Sequence, residues 1–277
     1  MPELVRLSDV AIACEQRGSG PPLLFVHAYP LCGRLWDRQV SAFAADYRTI
    51  VPDLRGFGDS GVPRDPESVE IADYADDLFA MLDALGVDEP VVFAGVSMGG
   101  YIGWEFWRRH PDKCRALFLA CTNPHADSAA ATARRHEIAA AVLADGTDAI
   151  ADVPKSLLGR TTRTERPELV TQLERWIAAS DPVGIAAAQF AMSKRADFAD
   201  AIATLDCPAG FVAGEEDTFT KADAIAKWVA TIPGASLTVV PQVGHLPMLE
   251  APDAYNAALR AFLDRLDADA NDRSDAA

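Results

Sequence analysis

The sequence predicts an α/β fold in which a mostly parallel central sheet is flanked by helices and carries an inserted helical cap. Short apolar runs alternate with amphipathic segments along most of the chain, as in the β-α units that build a parallel sheet. Several of these runs are apolar throughout, as strands covered on both faces should be. One long interval in the second half lacks strand-like runs and predicts the cap. The 277 residues can bury a full core as one large domain.

The first strands are predicted from alternation and the later ones from short apolar runs. Polar and apolar residues alternate from Leu4 to Gln16, which predicts a hairpin-like pair of edge strands. The apolar runs predict parallel strands at Leu23–His27, Thr49–Asp53, Val91–Val96, Ala116–Ala120, Gly210–Ala213 and Leu237–Val240. Apolar residues at helical spacing, ended by glycine or proline in the first two cases, predict helices at Tyr74–Leu85, Ala222–Ile232 and Pro252–Leu266.

The domain organisation follows from where this alternation stops. Residues 123–204 offer four helical stretches rich in Ala, Arg and Leu and no convincing strand, so they predict a cap inserted into a core of residues 1–122 and 205–266. The tail 267–277 is small, acidic and free of aromatic residues. It cannot bury enough surface to offset its ordering entropy, and we expect it to be disordered.

Charge and composition exclude several classes of function. The formal net charge of -16 would repel nucleic acid and anionic lipid, and no cluster of Lys and Arg is large enough to reverse it locally. The longest apolar runs are far shorter than a membrane span. The first residues lack the basic and apolar regions of a signal peptide. We therefore expect a cytoplasmic protein with a small-molecule substrate and neither nucleic-acid nor membrane partners.

No metal or organic cofactor is predicted. The five cysteines are widely spaced, with no C-x-x-C pair and no metal-ligand spacing to histidine. Gly56, Gly58 and Gly61 match the dinucleotide-binding pattern G-x-G-x-x-G after a predicted strand. Pro63 and Pro66 follow at once, so no helix can begin there to receive a pyrophosphate.

A candidate nucleophile lies in the run GVSMGG, where Ser97 stands between Gly95 and Gly99 directly after a predicted strand. This is the G-x-S-x-G pattern of a nucleophile elbow, a sharp strand-to-helix turn that exposes a serine. The flanking glycines leave room for the strained turn. A helix predicted from about Met98 to His110 would direct its N-terminal N–H groups at the reacting carbonyl.

A serine is a weak nucleophile unless a base takes its proton. Among five histidines, His245 is the candidate base because it follows a predicted strand, where loops at the carboxyl ends carry function in open α/β sheets. The candidate acid is Asp217, which follows the strand predicted to end at Ala213 and completes the order Ser, Asp, His. Its neighbours Glu215 and Glu216 are rivals for that role.

A tetrahedral oxyanion needs two N–H donors. One should be the backbone N–H of Met98, the residue after the nucleophile. The second should come from the loop His27–Pro30, where the N–H of Tyr29 is the candidate. Pro30 disfavours a helical backbone at Tyr29 and so keeps this loop extended. We interpret His27 as a structural residue of the loop rather than as an acid or base.

With these motifs the chain resembles the α/β-hydrolase superfamily, and more narrowly bacterial carboxylesterases and proteins similar to 3-oxoadipate enol-lactonase. The resemblance extends to about Leu266 and is specific for fold and triad but weaker for substrate. It rests on His27–Pro30 (HAYP), Asp53–Ser60 (DLRGFGDS), Gly95–Gly100 (GVSMGG), Gly214–Asp217 (GEED) and Val243–Pro252 (VGHLPMLEAP).

The resemblance implies a serine hydrolase that cleaves a small ester or lactone through an acyl-enzyme. Cofactor-free perhydrolase activity and carbon–carbon bond hydrolysis are alternatives on the same triad, and a non-catalytic small-molecule receptor is a remote one. Branches with an aspartate nucleophile, such as dehalogenases and epoxide hydrolases, are disfavoured because position 97 is serine.

Substrate choice should come from the cap. Trp176, Phe190 and Met192 are candidates to line an apolar pocket, although core packing is the more common role of such residues in amphipathic helices. The run Arg134, Arg135 and His136 could hold a substrate carboxylate, whereas basic runs on helices are usually solvated faces.

Overall fold

One sheet organises the molecule. The computed structural model describes residues 2–275, and side chains within residues 2–268. The eight strands of this part are β1 (Glu3–Arg6), β2 (Ala11–Arg17), β3 (Pro22–Val26), β4 (Arg48–Pro52), β5 (Val91–Val96), β6 (Cys114–Ala120), β7 (Ala209–Gly214) and β8 (Ser236–Val240). Their spatial order is β1-β2-β4-β3-β5-β6-β7-β8, and β2 runs antiparallel to both neighbours while the other pairs from β4 to β8 are parallel. The predicted mostly parallel sheet is confirmed.

The strands lie where the apolar runs predict them, each bound within two residues of the expected one. The central strands β3 and β5 are buried along their whole length, which explains their continuous apolar sequence. The predicted N-terminal hairpin exists, but of its two strands only β1 lies at an edge of the sheet. β2 pairs on its other side with β4, where Gln16 lies opposite Ile50.

Helices cover both faces of the sheet. They are α1 (Asp37–Phe43), α2 (Ile71–Ala84), α3 (Met98–Arg109), α4 (Ala129–Asp145), α5 (Val153–Leu157), α6 (Arg160–Glu165), α7 (Pro167–Ala178), α8 (Pro182–Ser193), α9 (Ala222–Val229), α10 (Pro247–Glu250) and α11 (Pro252–Asp275). α2 begins three residues before the predicted start because Glu70 and Asp73 form a capping box. Within the described ranges, no helix has both the length and the apolar character needed to cross a membrane.

The last helix, α11, continues past residue 266, where the sequence predicts the core to end. α11 continues beyond Leu266 to Asp275 instead of giving way at 267 to the disordered tail that we expected. Asp267 is held by the guanidinium of Arg115 at 2.7 Å and lies 3.4 Å from the hydroxyl of Tyr47. These contacts extend the folded part past the predicted boundary. Residues 276–277 of the expected tail lie outside the described residues.

The segment predicted to form the cap lies between β6 and β7, and residues 123–204, all of them described, contain no strand. Five α-helices (α4 to α8) form it, where the sequence predicts four helical stretches. α6 and α7 are separated at Arg166, because Pro167 cannot donate within a continuing helix and instead occupies the first turn of α7.

The backbone of α8 touches the core at Gly184. A Cβ atom at this position would lie 1.8 Å from the carbonyl oxygen of Gly56, so the two backbones meet without room for a side chain. We expect Gly184→Ala to lower the free energy of unfolding by about 1–3 kcal/mol through overpacking. Thermal unfolding would measure this. An unchanged or raised melting temperature, as alanine gives in an unobstructed helix, would contradict it.

Candidate active site

The turn at Ser97 has the geometry of a strained elbow. Ser97 follows β5, precedes α3 and has φ 55° and ψ -113°, a region that residues with side chains rarely adopt. A Cβ at Gly95 would lie 2.5 Å from the Gly99 carbonyl oxygen, and one at Gly99 would lie 2.4 Å from that of Val26. The two glycines of the motif are therefore required by space. Strain of this kind is concentrated at functional sites.

His245 and Asp217 lie together at the carboxyl edge of the sheet. Nδ1 of His245 is 2.8 Å from Oδ2 of Asp217, and both side chains are buried. Asp217 also accepts hydrogen bonds from the Phe219 N–H at 2.8 Å and from the Thr220 hydroxyl at 2.5 Å. Burial opposes ionisation of Asp217, but His245 and these donors outweigh it, so the pKa of Asp217 lies below its usual range.

The two rival carboxylates lie elsewhere. Glu215 accepts the backbone N–H of Gln242 and is exposed. Glu216 accepts the N–H and the hydroxyl of Thr161, both at 2.7 Å, and so ties the core loop to the cap. Of the three acidic residues of the GEED motif, Asp217 is the one placed against His245.

A cavity of about 350 Å³ between core and cap contains both Ser97 and His245 in its lining. Its size is suitable for a small molecule. The loop of His245 is also bound to the cap, because the His245 N–H donates to the carbonyl of Leu157 at 3.0 Å. The cap therefore forms the roof of the cavity and fixes one of its walls.

Two backbone N–H groups near Ser97 in the sequence or in the cavity wall lack a backbone acceptor within the described residues 2–275. Met98 is the first residue of α3, so its N–H has no carbonyl acceptor within the helix. The Tyr29 N–H likewise has no acceptor among the described residues, and the Tyr29 side chain lines the cavity. The role of these two N–H groups as oxyanion donors stays a prediction.

His27 and His110 are engaged in structural contacts. Nε2 of His27 accepts the Leu54 N–H at 3.0 Å, and Nδ1 lies 3.0 Å from the Ala28 carbonyl oxygen. Burial lowers the pKa of His27, so both ring nitrogens serve the loop in the neutral form. His110 caps α3, stacks on Phe79 and bonds Asp76.

The cap residues named from the sequence divide between cavity and interior. Met192 lines the cavity, whereas Trp176 and Phe190 pack against apolar neighbours. Within the basic run, Arg135 is turned towards Asp127 and Gln189 in the cavity wall. Arg134 also borders the cavity, but its side chain is 71% exposed and paired with Glu137; His136 bonds Ser193.

Glu250 and Thr220 are site residues that the sequence analysis missed. The buried carboxylate of Glu250 accepts the N–H groups of Gly244 and Leu246, which flank His245, each at 3.1 Å. It also accepts the N–H of Gly159 in the cap at 2.8 Å. A buried acid five residues after the histidine is the sequence signal that could have identified it. Thr220 has a weaker signal, as a hydroxyl three residues after Asp217.

Cys121, Asp217 and His245 form a cluster of side chains that could in principle bind a metal ion. Sγ of Cys121 lies with atoms of Asp217 and His245 in a group whose members are within 4.8 Å of one another. Burial and the nearby Asp217 carboxylate raise the pKa of the Cys121 thiol, which disfavours the thiolate that binds metals. Asp217 and His245 already bond to each other, so these residues fit a hydrogen-bonded cluster better than a metal site.

Comparisons with known proteins place the chain in a family. A family model described as "alpha/beta hydrolase fold" matches residues 21–252. A solved esterase structure from Thermogutta terrifontis, with malate bound, is 33% identical, with a TM-score of 0.90 over 93% of this chain and 94% of that one. 3-Oxoadipate enol-lactonase 2 of Acinetobacter baylyi is 26% identical over 93% of this chain and 94% of its own length.

Other relatives match only part of the chain. Epoxide hydrolase 2 of Siraitia grosvenorii is 40% identical over 101 residues, which are 36% of this chain and 32% of that protein. The matched region is thus about a third of the length of such relatives, whereas the family model spans most of this chain. The chain belongs to the family of proteins with the alpha/beta hydrolase fold.

Proposed function

We propose that the protein is a serine hydrolase of small carboxylic esters or lactones. Ser97 attacks the carbonyl carbon, His245 takes the serine proton, and Asp217 holds the imidazole in the required tautomer. The observation that carries this proposal is the 2.8 Å contact between His245 and Asp217 beside a cavity that also contains the strained Ser97.

The remaining steps follow from the same groups. The N–H groups of Tyr29 and Met98 stabilise the oxyanion as the carbonyl carbon becomes tetrahedral. His245 then gives its proton to the leaving oxygen, and an acyl group stays on Ser97. A water molecule, deprotonated by His245, hydrolyses this acyl-enzyme and restores the serine. The proposed mechanism requires neither a metal nor an organic cofactor.

The residue at position 97 favours ester or lactone cleavage over epoxide opening. We reason that a serine acyl-enzyme needs the hydroxyl nucleophile present here. The relative with an enol-lactonase name and the solved esterase both align over more than nine-tenths of the chain, unlike the epoxide hydrolases. Perhydrolysis and non-catalytic binding of a small molecule are alternatives that the labelling and assays below would separate, and turnover of a diketone would reveal carbon–carbon cleavage.

Labelling and a substrate panel test the proposal. A fluorophosphonate should form one adduct per chain, located on Ser97 by mass spectrometry, because an activated serine reacts where an inert one does not. Protein unfolded by heat is the control and should give no adduct. Wild type should also hydrolyse p-nitrophenyl acetate, butyrate or octanoate, or 3-oxoadipate enol-lactone. If none of these four substrates were hydrolysed and Ser97 were not labelled, the proposal would be overturned. Peroxide-dependent bromination in the presence of acetate would favour perhydrolysis.

A further inference from the structure

The cavity beside Ser97 is charged on the side of the cap and aromatic on the side of the core. The cap contributes three arginines and an aspartate, on α4 and on the segments that precede α4 and follow α8. The core loop after β7 contributes an exposed aromatic ring beside His245. A substrate that fills this cavity must match both sides.

The cap side carries a net positive charge. Asp127 is bound by Arg135 and also by Arg195, whose Nη1 is 2.5 Å from Asp127 Oδ1. The Arg195 and Asp127 side chains are 7% and 6% exposed. Two guanidinium groups share a single carboxylate, so one positive charge is uncompensated within the cluster. This is a local exception in a chain with a formal charge of -16.

Several donors of this side have no acceptor. Arg135 donates through Nε to Asp127 and through Nη1 to Gln189. Arg195 donates through Nε to the carbonyl of His125, and through Nη1 to Asp127 and the carbonyl of Met192. Neither Nη2 bonds an acceptor among the described residues.

The Tyr29 hydroxyl adds another donor to this set. It is buried in the cavity wall beside Gln189, but in the described part of the chain no acceptor meets it with hydrogen-bond geometry. Burial raises the pKa of Tyr29 to about 12, so the hydroxyl stays protonated at neutral pH. A buried orphan donor is costly unless a ligand satisfies it. The free donors and the net charge together fit a carboxylate.

The core side is apolar at the point where the leaving group must lie. The Phe219 side chain is 56% exposed, and its ring centroid is 4.9 Å from that of His245. Its backbone is held in place because its N–H donates to Asp217. In the proposed mechanism His245 protonates the leaving oxygen, so the alcohol of an ester lies against Phe219 while the acyl chain extends towards Tyr29 and the cap.

We propose that the substrates are monoesters of dicarboxylic acids with an aromatic or bulky apolar alcohol. The free carboxylate of the acyl chain binds Arg135, Arg195 and the Tyr29 hydroxyl, and the alcohol packs on Phe219. One water is consumed as the acyl–oxygen bond breaks, and a dicarboxylate and the free alcohol are released. This inference rests on the proposed serine hydrolase function.

The acid side is tested with monobenzyl succinate and its neutral isostere benzyl 4-methylpentanoate. Wild type should prefer the anionic ester in kcat/KM, and Arg135→Gln should reduce that preference about 10- to 100-fold, as the loss of a charge-assisted hydrogen bond implies. Arg175→Gln is the matched control in the cap and should change the preference less than about two-fold, because this exposed arginine lies on α7 outside the cavity lining and solvent screens its charge.

The alcohol side is tested with the monobenzyl and monomethyl esters of succinate. Phe219→Ala should lower the benzyl-to-methyl ratio of kcat/KM about 5- to 20-fold through lost aromatic packing. Phe79→Ala, which removes a partly exposed ring stacked on His110 outside the cavity, should leave the ratio unchanged.

The wild-type measurements decide the inference even if a variant fails to fold. Hydrolysis of benzyl 4-methylpentanoate at least as fast as that of monobenzyl succinate would overturn the carboxylate site while leaving the serine hydrolase intact. Absence of turnover on every ester, together with absence of fluorophosphonate labelling, would instead remove the proposed function itself. A preference for the anionic ester that Arg135→Gln does not reduce would also overturn the inference.

Discussion

Ser97→Ala is expected to abolish ester and lactone hydrolysis, with kcat falling by roughly a million-fold. Alanine removes the only oxygen that could form the acyl-enzyme at the elbow, and the turn from β5 into α3 leaves no other side chain in its place. The oxyanion donors would remain, so a residual acceleration over water of about 10³- to 10⁴-fold is the most that these donors and binding together should give.

The measurement is single-turnover and steady-state hydrolysis of the p-nitrophenyl esters, with thermal unfolding to verify that the variant is folded. Ser156→Ala is the matched control, because Ser156 lies in the cap helix α5 with its hydroxyl bonded to the Asp152 carbonyl and outside the cavity lining. It should keep wild-type rates. Substantial activity in Ser97→Ala would show that another group attacks the substrate.

The parts of the fold and site that are local in sequence could be predicted from it. The apolar runs mark the strands because both faces of a parallel sheet are covered, and the spacing around Ser97 marks the elbow because glycine is needed within two residues on either side. The chain order of Ser97, Asp217 and His245 then restricts the candidates, although the choice between Asp217 and its two neighbours depends on the three-dimensional contact with His245.

The features that could not be predicted join distant parts of the chain. Arg135 and Arg195 both bind Asp127, although they lie 60 positions apart (195 − 135), near opposite ends of the cap sequence. Sequence patterns treat the run from Arg134 to His136 as one unit, but the helix turns its members in different directions. Contacts with α8 hold Arg135 against Gln189 in the cavity wall and His136 against Ser193. The contact of Asp267 with Arg115 on β6 likewise joins positions that are far apart in the chain.

Asp217→Asn is expected to lower kcat by about 10⁴-fold while leaving the protein folded. The carboxylate accepts from His245 Nδ1, so it keeps the proton on that nitrogen and leaves Nε2 free to take the serine proton. An asparagine can present its amide N–H instead, which stabilises the opposite tautomer. It would also fail to stabilise the imidazolium that forms during the reaction.

The stability of this variant should depend on pH in a defined direction. The pKa of Asp217 is lowered in the folded protein from its usual 3.8, despite burial, mainly by His245 and the donors around it. A lowered folded-state pKa stabilises the native state above the unfolded-state pKa, and this contribution is lost as the pH falls through the folded-state pKa. The difference in unfolding free energy between wild type and Asp217→Asn should therefore be largest near neutral pH and narrow below about pH 4.

Two neighbouring carboxylates provide the controls that make the Asp217 result specific. Glu215→Gln alters an exposed acid two residues away and should leave kcat within about two-fold, as surface substitutions usually do. Glu216→Gln weakens a tether to Thr161 in the cap, so it should affect stability and KM more than kcat. If Glu216→Gln instead lost kcat as strongly as Asp217→Asn is expected to, Glu216 would be the acid in the working enzyme, and the loop after β7 would have to rearrange when substrate binds.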